Sequence, residues 1–172
     1  MKMNARILVA GVGNVFLGDD GFGVEVAAKL AARPLPDGVV VADIGVRALH
    51  LAFDLLDTPA ALLVIDAVDR GEPPGTLSLI EPRLGPEAMG GVADAHGMNL
   101  ASVIAALRGL GGEVPPLLLV GCQPEFVGER PGLSPVVQAA VPHAVDLVER
   151  TVNRLIAGRT NHAAESAAEE TP

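Results

Sequence analysis

Tryptophan and tyrosine are absent from the 172 residues, and cysteine occurs once, at Cys122. Without Trp or Tyr the chain lacks the usual platforms on which bases or sugars stack. A single cysteine cannot build a disulfide framework, which fits a reducing cytoplasm. Lys and Arg total 12 against 21 Asp and Glu, a net charge of -9, and no basic cluster stands out. Phosphate binding needs a basic footprint, so the balance argues against nucleic acid as a partner. An acidic surface suits a cationic or metal-bearing partner, and it serves solubility equally well. No apolar run reaches the about 18 residues of a membrane span, and no basic n-region precedes a long apolar stretch. The expectation is therefore a soluble cytoplasmic protein without membrane association, of a length that supports one core.

What is present is organised around Ile7 to Gly23, ILVAGVGNVFLGDDGFG. An apolar run breaks at Gly11, turns through Gly13-Asn14 and passes Asp19 and Asp20 into an amphipathic run. This predicts strand, polar turn and helix. Further along, Val39 to Ala42 predicts a second strand ending at Asp43. The run Val46 to Leu56 sets Leu49, Phe53 and Leu56 at helical spacings. Ala61 to Ile65 reads as a third strand, ending at Asp66 and covered on both faces. The link Asp69 to Gly75 is too short for a crossover helix, so Thr76 to Ile80 is expected as an antiparallel edge. Glu81 to Ala95 shows no period and reads as a long loop delivering His96 to a helix over Met98 to Leu110. A fifth strand, Leu117 to Val120, leads into Gly121-Cys122-Gln123-Pro124-Glu125. Ser134 and Pro135 open a last helix, with Ser134 as N-cap, running to about Ile156. The sum is an α/β protein: a three-layer α/β/α sandwich with a mostly parallel twisted sheet of about five strands and helices on both faces. One domain is expected over residues 1–157, with a disordered tail over 158–172.

Gly11-Val-Gly13 invites a dinucleotide reading, but the third glycine of G-x-G-x-x-G falls at Phe16, and two acids at the helix start repel a pyrophosphate. Asp43-Ile-Gly45 lacks the hydroxyl of an Asp-Thr/Ser-Gly protease and has no second copy. No Gly-x-Ser-x-Gly elbow and no His-Glu-x-x-His occur. His50, His143 and His162 read as structural or solvated, and Cys122 as a small buried filler. What remains is Asp19 or Asp20 after the first strand, Asp66 after the third, and His96 before a helix. Right-handed crossovers bring parallel strand ends to one rim. Two carboxylates and an imidazole there would make a partly open transition-metal site or an acid–base pair. The plain alternative for each is a helix-start acid, a turn residue and a polar cap.

Taken together, GVGNVFLGDDGFGVEV from Gly11, LLVIDAVDRGEPPGTL from Leu62, DAHGMNL from Asp94, and the GCQPE and GLSP segments resemble the nickel-iron hydrogenase maturation endopeptidases, over about residues 5–156. The resemblance implies an endopeptidase of aspartic type that trims the C-terminal extension of a [NiFe]-hydrogenase large-subunit precursor; a monomer, which needs no extra assumption, is expected, in the cytoplasm that the lone cysteine suggests. It implies Asp20, Asp66 and His96 as ligands of nickel brought by the substrate, with Asp20 and Asp66 as catalytic candidates. Here the first acid is Asp where the family commonly has Glu. The loop Asp43-Ile-Gly45-Val46-Arg47 departs from the Asp-Gly-Gly-Thr-like run usual after the second strand. Asp19, Asp43 and Arg47 are candidates for holding the substrate, Arg47 through an acidic group of the precursor. Metal-polarised carbonyl or activated water, and a carboxylate general base, are both open as mechanism. The rival readings are another hydrolase on a similar sandwich and a nickel-holding scaffold that cuts nothing.

Overall fold

The computed structural model describes residues 6–83 and 100–169, with side chains described as far as residue 158. Five strands form one sheet in the order β2-β1-β3-β5-β4. They are β1 (Ile7–Val12), β2 (Val39–Gly45), β3 (Ala61–Ala67), β4 (Leu77–Ile80) and β5 (Leu117–Cys122). The helices are α1 (Phe22–Ala31), α2 (Ala48–Leu55), α3 (Leu100–Gly109) and α4 (Pro135–Glu169). Strands β2, β1, β3 and β5 run parallel, and β4 pairs antiparallel with β5 as an edge, as its short connection requires.

Period-two alternation splits the parallel strands between two cores. Ile7, Val9, Leu63, Ile65 and Val120 pack with α1 and α4 on one face. Leu8, Ala10, Leu62, Val64 and Leu119 pack with α2 and α3 on the other. Each fully buried Leu, Ile or Val contributes roughly 1.5–3 kcal/mol relative to exposure, so this double burial fixes the register of the sheet. With register fixed, the carboxyl ends of four strands reach one rim.

Glycine sets how closely the first helix approaches that rim. At Gly23, in the first turn of α1, a Cβ would lie 2.8 Å from the backbone nitrogen of Val12 and collide with the carbonyl oxygens of Val12 and Ile65. Gly13, at φ 126, adopts a backbone that side chains rarely tolerate, and a Cβ there would overlap the Asp20 carbonyl. Gly11, where a Cβ would collide with the Gly23 carbonyl, and Gly13, the pair that resembles a nucleotide fingerprint, thus serve backbone approach.

Helix α2 forms where the spacing suggests, but the residues that marked it are not the ones it buries. Leu51, Ala52 and Leu55 are buried, whereas Leu49, Phe53 and Leu56 are exposed. The segment is apolar nearly all round, so spacing alone offers two stripes, and the one carrying the small Ala52 meets the sheet and α3. Helix α4 also continues through Glu169 instead of ending near Ile156, so the stretch expected to be disordered from residue 158 is helical as far as that residue. The loop expected over Glu81 to Ala95 falls mostly on residues outside the description, as do Asp94 and His96. No helix among the described residues is long and apolar enough to cross a membrane.

Candidate active site

Strand β1 leaves the sheet at Val12 and turns back into a short 3-10 turn, Asp19–Gly21, that runs directly into α1. Local bonds build this turn. The Asn14 side-chain oxygen accepts from the Phe16 N–H at 3.0 Å, and the Asn14 carbonyl accepts from the Leu17 N–H at 3.0 Å. The Asn14 N–H in turn donates to Asp20 Oδ2 at 2.8 Å. Asp20 is therefore oriented by the turn that precedes it, and it is only 3% exposed.

The same 3-10 turn packs on β3. Asp66, half-buried, stands next to last in β3 and is paired in register with Gly121. Since β1 and β3 are adjacent and in register as far as Gly11 and Ile65, the two acids belong to neighbouring strand ends. The structure thus places Asp20 and Asp66 at one rim, with His96 outside the described residues. Among the described residues no group of three or more His, Cys, Asp or Glu is placed to hold a metal ion. Two carboxylates are hard oxygen donors, and an imidazole beside them would shift the set towards nickel or zinc.

Asp19 points elsewhere. Its fully buried carboxylate accepts four hydrogen bonds: Oδ2 from the N–H groups of Glu125 and Phe126 at 2.8 and 2.9 Å and from Ser134 Oγ at 2.9 Å, and Oδ1 from the Ser134 N–H at 2.6 Å. Burial alone would raise its pKa, but the bonds from Ser134, Phe126 and Glu125 together hold it below the ordinary carboxylate value. Ser134 opens α4 as expected, since its carbonyl accepts from the Gln138 N–H, yet its hydroxyl serves Asp19. A carboxylate at that helix start is also favoured by the helix dipole.

Backbone bonds continue the seam between these two loops. Asp19 N–H donates to the Phe126 carbonyl at 2.9 Å, Arg130 N–H to Phe16 at 3.1 Å, and Gly18 N–H to Arg130 at 2.6 Å. On the other side, Gln123 clasps the segment that follows Asp66. Its Oε1 accepts from the Arg70 and Glu72 N–H groups at 2.7 and 3.2 Å, and its Nε2 donates to Asp69 Oδ1 at 2.9 Å. The bonds from Gln123 and from the Gly71 N–H hold Asp69 below its usual pKa. The segment from Gln123 to Ser134 therefore ties the loop carrying Asp20 to the loop following Asp66.

Asp43 is exposed at the end of β2, and Gly45 is joined to the Asp20 loop by the Gly13 N–H, 3.0 Å from the Gly45 carbonyl. Arg47 folds back on its own loop: Nε donates to the Ile44 carbonyl at 3.1 Å, and the guanidinium also donates to the Asp43 carbonyl. Asp43 and Arg47 thus border the rim, with Arg47 engaged by main chain. Cys122 is fully buried, and burial, with the nearby Asp19 charge, pushes its thiol up to about 12, which makes it a poor nucleophile. Sequence reasoning missed the roles of Gln123 and Ser134. Their partners lie 51–54 and 115 residues away in the chain, beyond any local pattern.

The profile of the hydrogenase maturation proteases (HycI) matches residues 24–151. The hydrogenase 2 maturation protease of Escherichia coli is 33% identical over 144 residues, 83% of this chain and 88% of that protein. The fold is similar to the hydrogenase maturating endopeptidase HybD from E. coli, with a TM-score of 0.75 and 33% identity, over 87% of this chain and 93% of that one. It is likewise similar to the [NiFe] hydrogenase maturation protease HycI from Thermococcus kodakarensis, with a TM-score of 0.68 and 25% identity, over 85% and 91% of the two chains. The chain belongs to the hydrogenase maturation protease family.

Proposed function

We propose that this protein removes the C-terminal extension of a [NiFe]-hydrogenase large-subunit precursor and that nickel carried by the precursor is what it recognises. The observation that carries this reading is the packing of the Asp19–Gly21 turn on β3, which sets Asp20 beside the strand end bearing Asp66. A metal already held by the substrate would take these carboxylates, with His96, as its remaining ligands. Only the loaded precursor would then bind well enough to be cut. In the aspartic-type version of the reaction, Asp20 or Asp66 acts as general base on water. In the other version the substrate's metal polarises the scissile carbonyl and the carboxylates hold it in place. The expected setting is the cytoplasm, where the precursor is processed without a membrane.

Intact-mass analysis of a nickel-loaded large-subunit precursor, with nickel-free precursor in parallel, tests the reading. Loss of a C-terminal peptide from the loaded form only is the expected result, abolished in Asp66→Asn and in His96→Ala. An unchanged mass with a competent cognate precursor would favour a nickel-holding scaffold. Full activity in either variant would sink the site assignment.

A further inference from the structure

Large apolar side chains are normally withdrawn from water, yet three of the four phenylalanines are exposed and only Phe22 is in the core. Two of the three stand at the rim of the candidate site. Phe16, at 71% exposure, projects from the turn whose other end carries Asp20. Phe126, at 42%, lies on the segment bound to Asp19. On the opposite flank Val46, at 56%, directly follows Gly45, whose carbonyl is bonded to Gly13. Three loops, leaving β1, β2 and β5, therefore each present an exposed apolar side chain around one buried acid.

Two of these positions are held in place. The Phe16 backbone is fixed through its N–H to Asn14 and its carbonyl to Arg130. The Phe126 ring sits between Gly18 and Gly128, where a Cβ would come within 3.0 and 2.7 Å of ring carbons, and the Arg130 guanidinium lies 4.7 Å from its centroid. Rigid, pre-positioned aromatic side chains are what an interface uses as anchors, because little further freedom is lost on binding.

Resting on the proposed function, we infer that Phe16, Phe126 and Val46 form the surface that grips an apolar, extended stretch of the precursor beside the bond to be cut. An extended occupant follows from the contrast in exposure: Asp20 is 3% exposed and Phe16, on the same turn, 71%, so a flat folded face seated on Phe16 would stand off the acid, whereas a single peptide strand could pass between the exposed side chains towards it. The surface is also continuous with the acids, since the loops that present it are the loops that hold Asp19 and Asp20.

Cleavage kinetics on the nickel-loaded large-subunit precursor test this. Phe16→Ala and Phe126→Ala are expected to raise KM about tenfold or more with kcat little changed, the pattern of lost uniform binding. Phe16→Leu, which keeps an apolar side chain, should restore most of the loss. Leu110→Ala, 45% exposed just past the end of α3 and thus at the opposite end of the sheet, should leave KM unchanged. An unaltered KM in both phenylalanine variants, or an equal rise in Leu110→Ala, overturns the inference while leaving the proposed function standing. If the wild-type protein cuts nothing, fluorescence anisotropy with the same labelled precursor decides separately. Binding weakened by Phe16→Ala supports the surface, and equal binding, or none by the wild type, overturns it.

Discussion

Replacing Asp19 by Asn keeps the shape of the side chain and removes its charge, and the hydrogen bonds allow the cost to be worked out. The amide oxygen can take the position of Oδ2 and retain the three donors there, Glu125 N–H, Phe126 N–H and Ser134 Oγ. The amide NH2 must then face the Ser134 N–H, donor against donor, where Oδ1 now accepts at 2.6 Å. One buried charge-assisted bond is lost and a buried donor is left without an acceptor, each worth about 1–3 kcal/mol. The remaining three bonds also weaken without the charge. A total near 3 kcal/mol corresponds to a fall in Tm of roughly 6–12 °C for a domain of this size. The pH dependence has a definite sign. Folding lowers the Asp19 pKa below the ordinary 3.8, so its contribution is fully present above that value and disappears as pH falls through the folded pKa. Urea unfolding of the two proteins at neutral pH and towards pH 3 is the assay, and the gap between them should narrow in acid. Equal midpoints at neutral pH would refute the assignment of Asp19 as the clamp between the two loops.

Gly23→Ala places a methyl group against the backbone of Val12 and Ile65, which cannot yield as a side chain would, and should cost about 3 kcal/mol, the upper end of the usual overpacking range; a variant of native stability by urea unfolding would contradict the close approach of α1 to the rim. Gln123→Ala removes the acceptor from the N–H groups of Arg70 and Glu72, so hydrogen exchange at those two amides should speed up by tenfold or more while the core strands stay protected. With its thiol pushed up to about 12, Cys122 should resist aromatic disulfide reagents at pH 8 until the protein is unfolded. Labelling of the native protein at the rate of a free thiol would show that Cys122 is not shielded as the structure places it.

The fold was legible because the parallel strands are written as unbroken apolar runs. Ala61 to Ile65 needs cover on both faces, and two helical layers supply it. The antiparallel edge was legible for a different reason, namely that DRGEPPG is too short to cross the sheet. The buried face of α2 was not legible. In ALHLAFDL the apolar residues surround the helix, and which stripe is buried depends on α3 and the sheet, neither of which the segment encodes.

The two acids after β1 show where reading by residue type stops. Adjacent carboxylates in one sequence pair suggest a shared duty, yet a 3-10 turn directs successive side chains in different directions. Asp20 turns back to the Asn14 N–H at the rim, and Asp19 turns into the Glu125–Ser134 loop. Asp19 has its acceptor sites filled by four donors inside the protein, so a substrate would have to break those bonds to reach it. Its chemistry is therefore best spent on position. By fixing the loop from Gln123 to Ser134 it determines where Phe126 stands relative to Asp20, and Gln123 extends the same restraint to the segment after Asp66. The pair thus separates into Asp20, held at the rim by the turn it belongs to, and Asp19, which builds the frame around that rim, and only long-range hydrogen bonds reveal which is which.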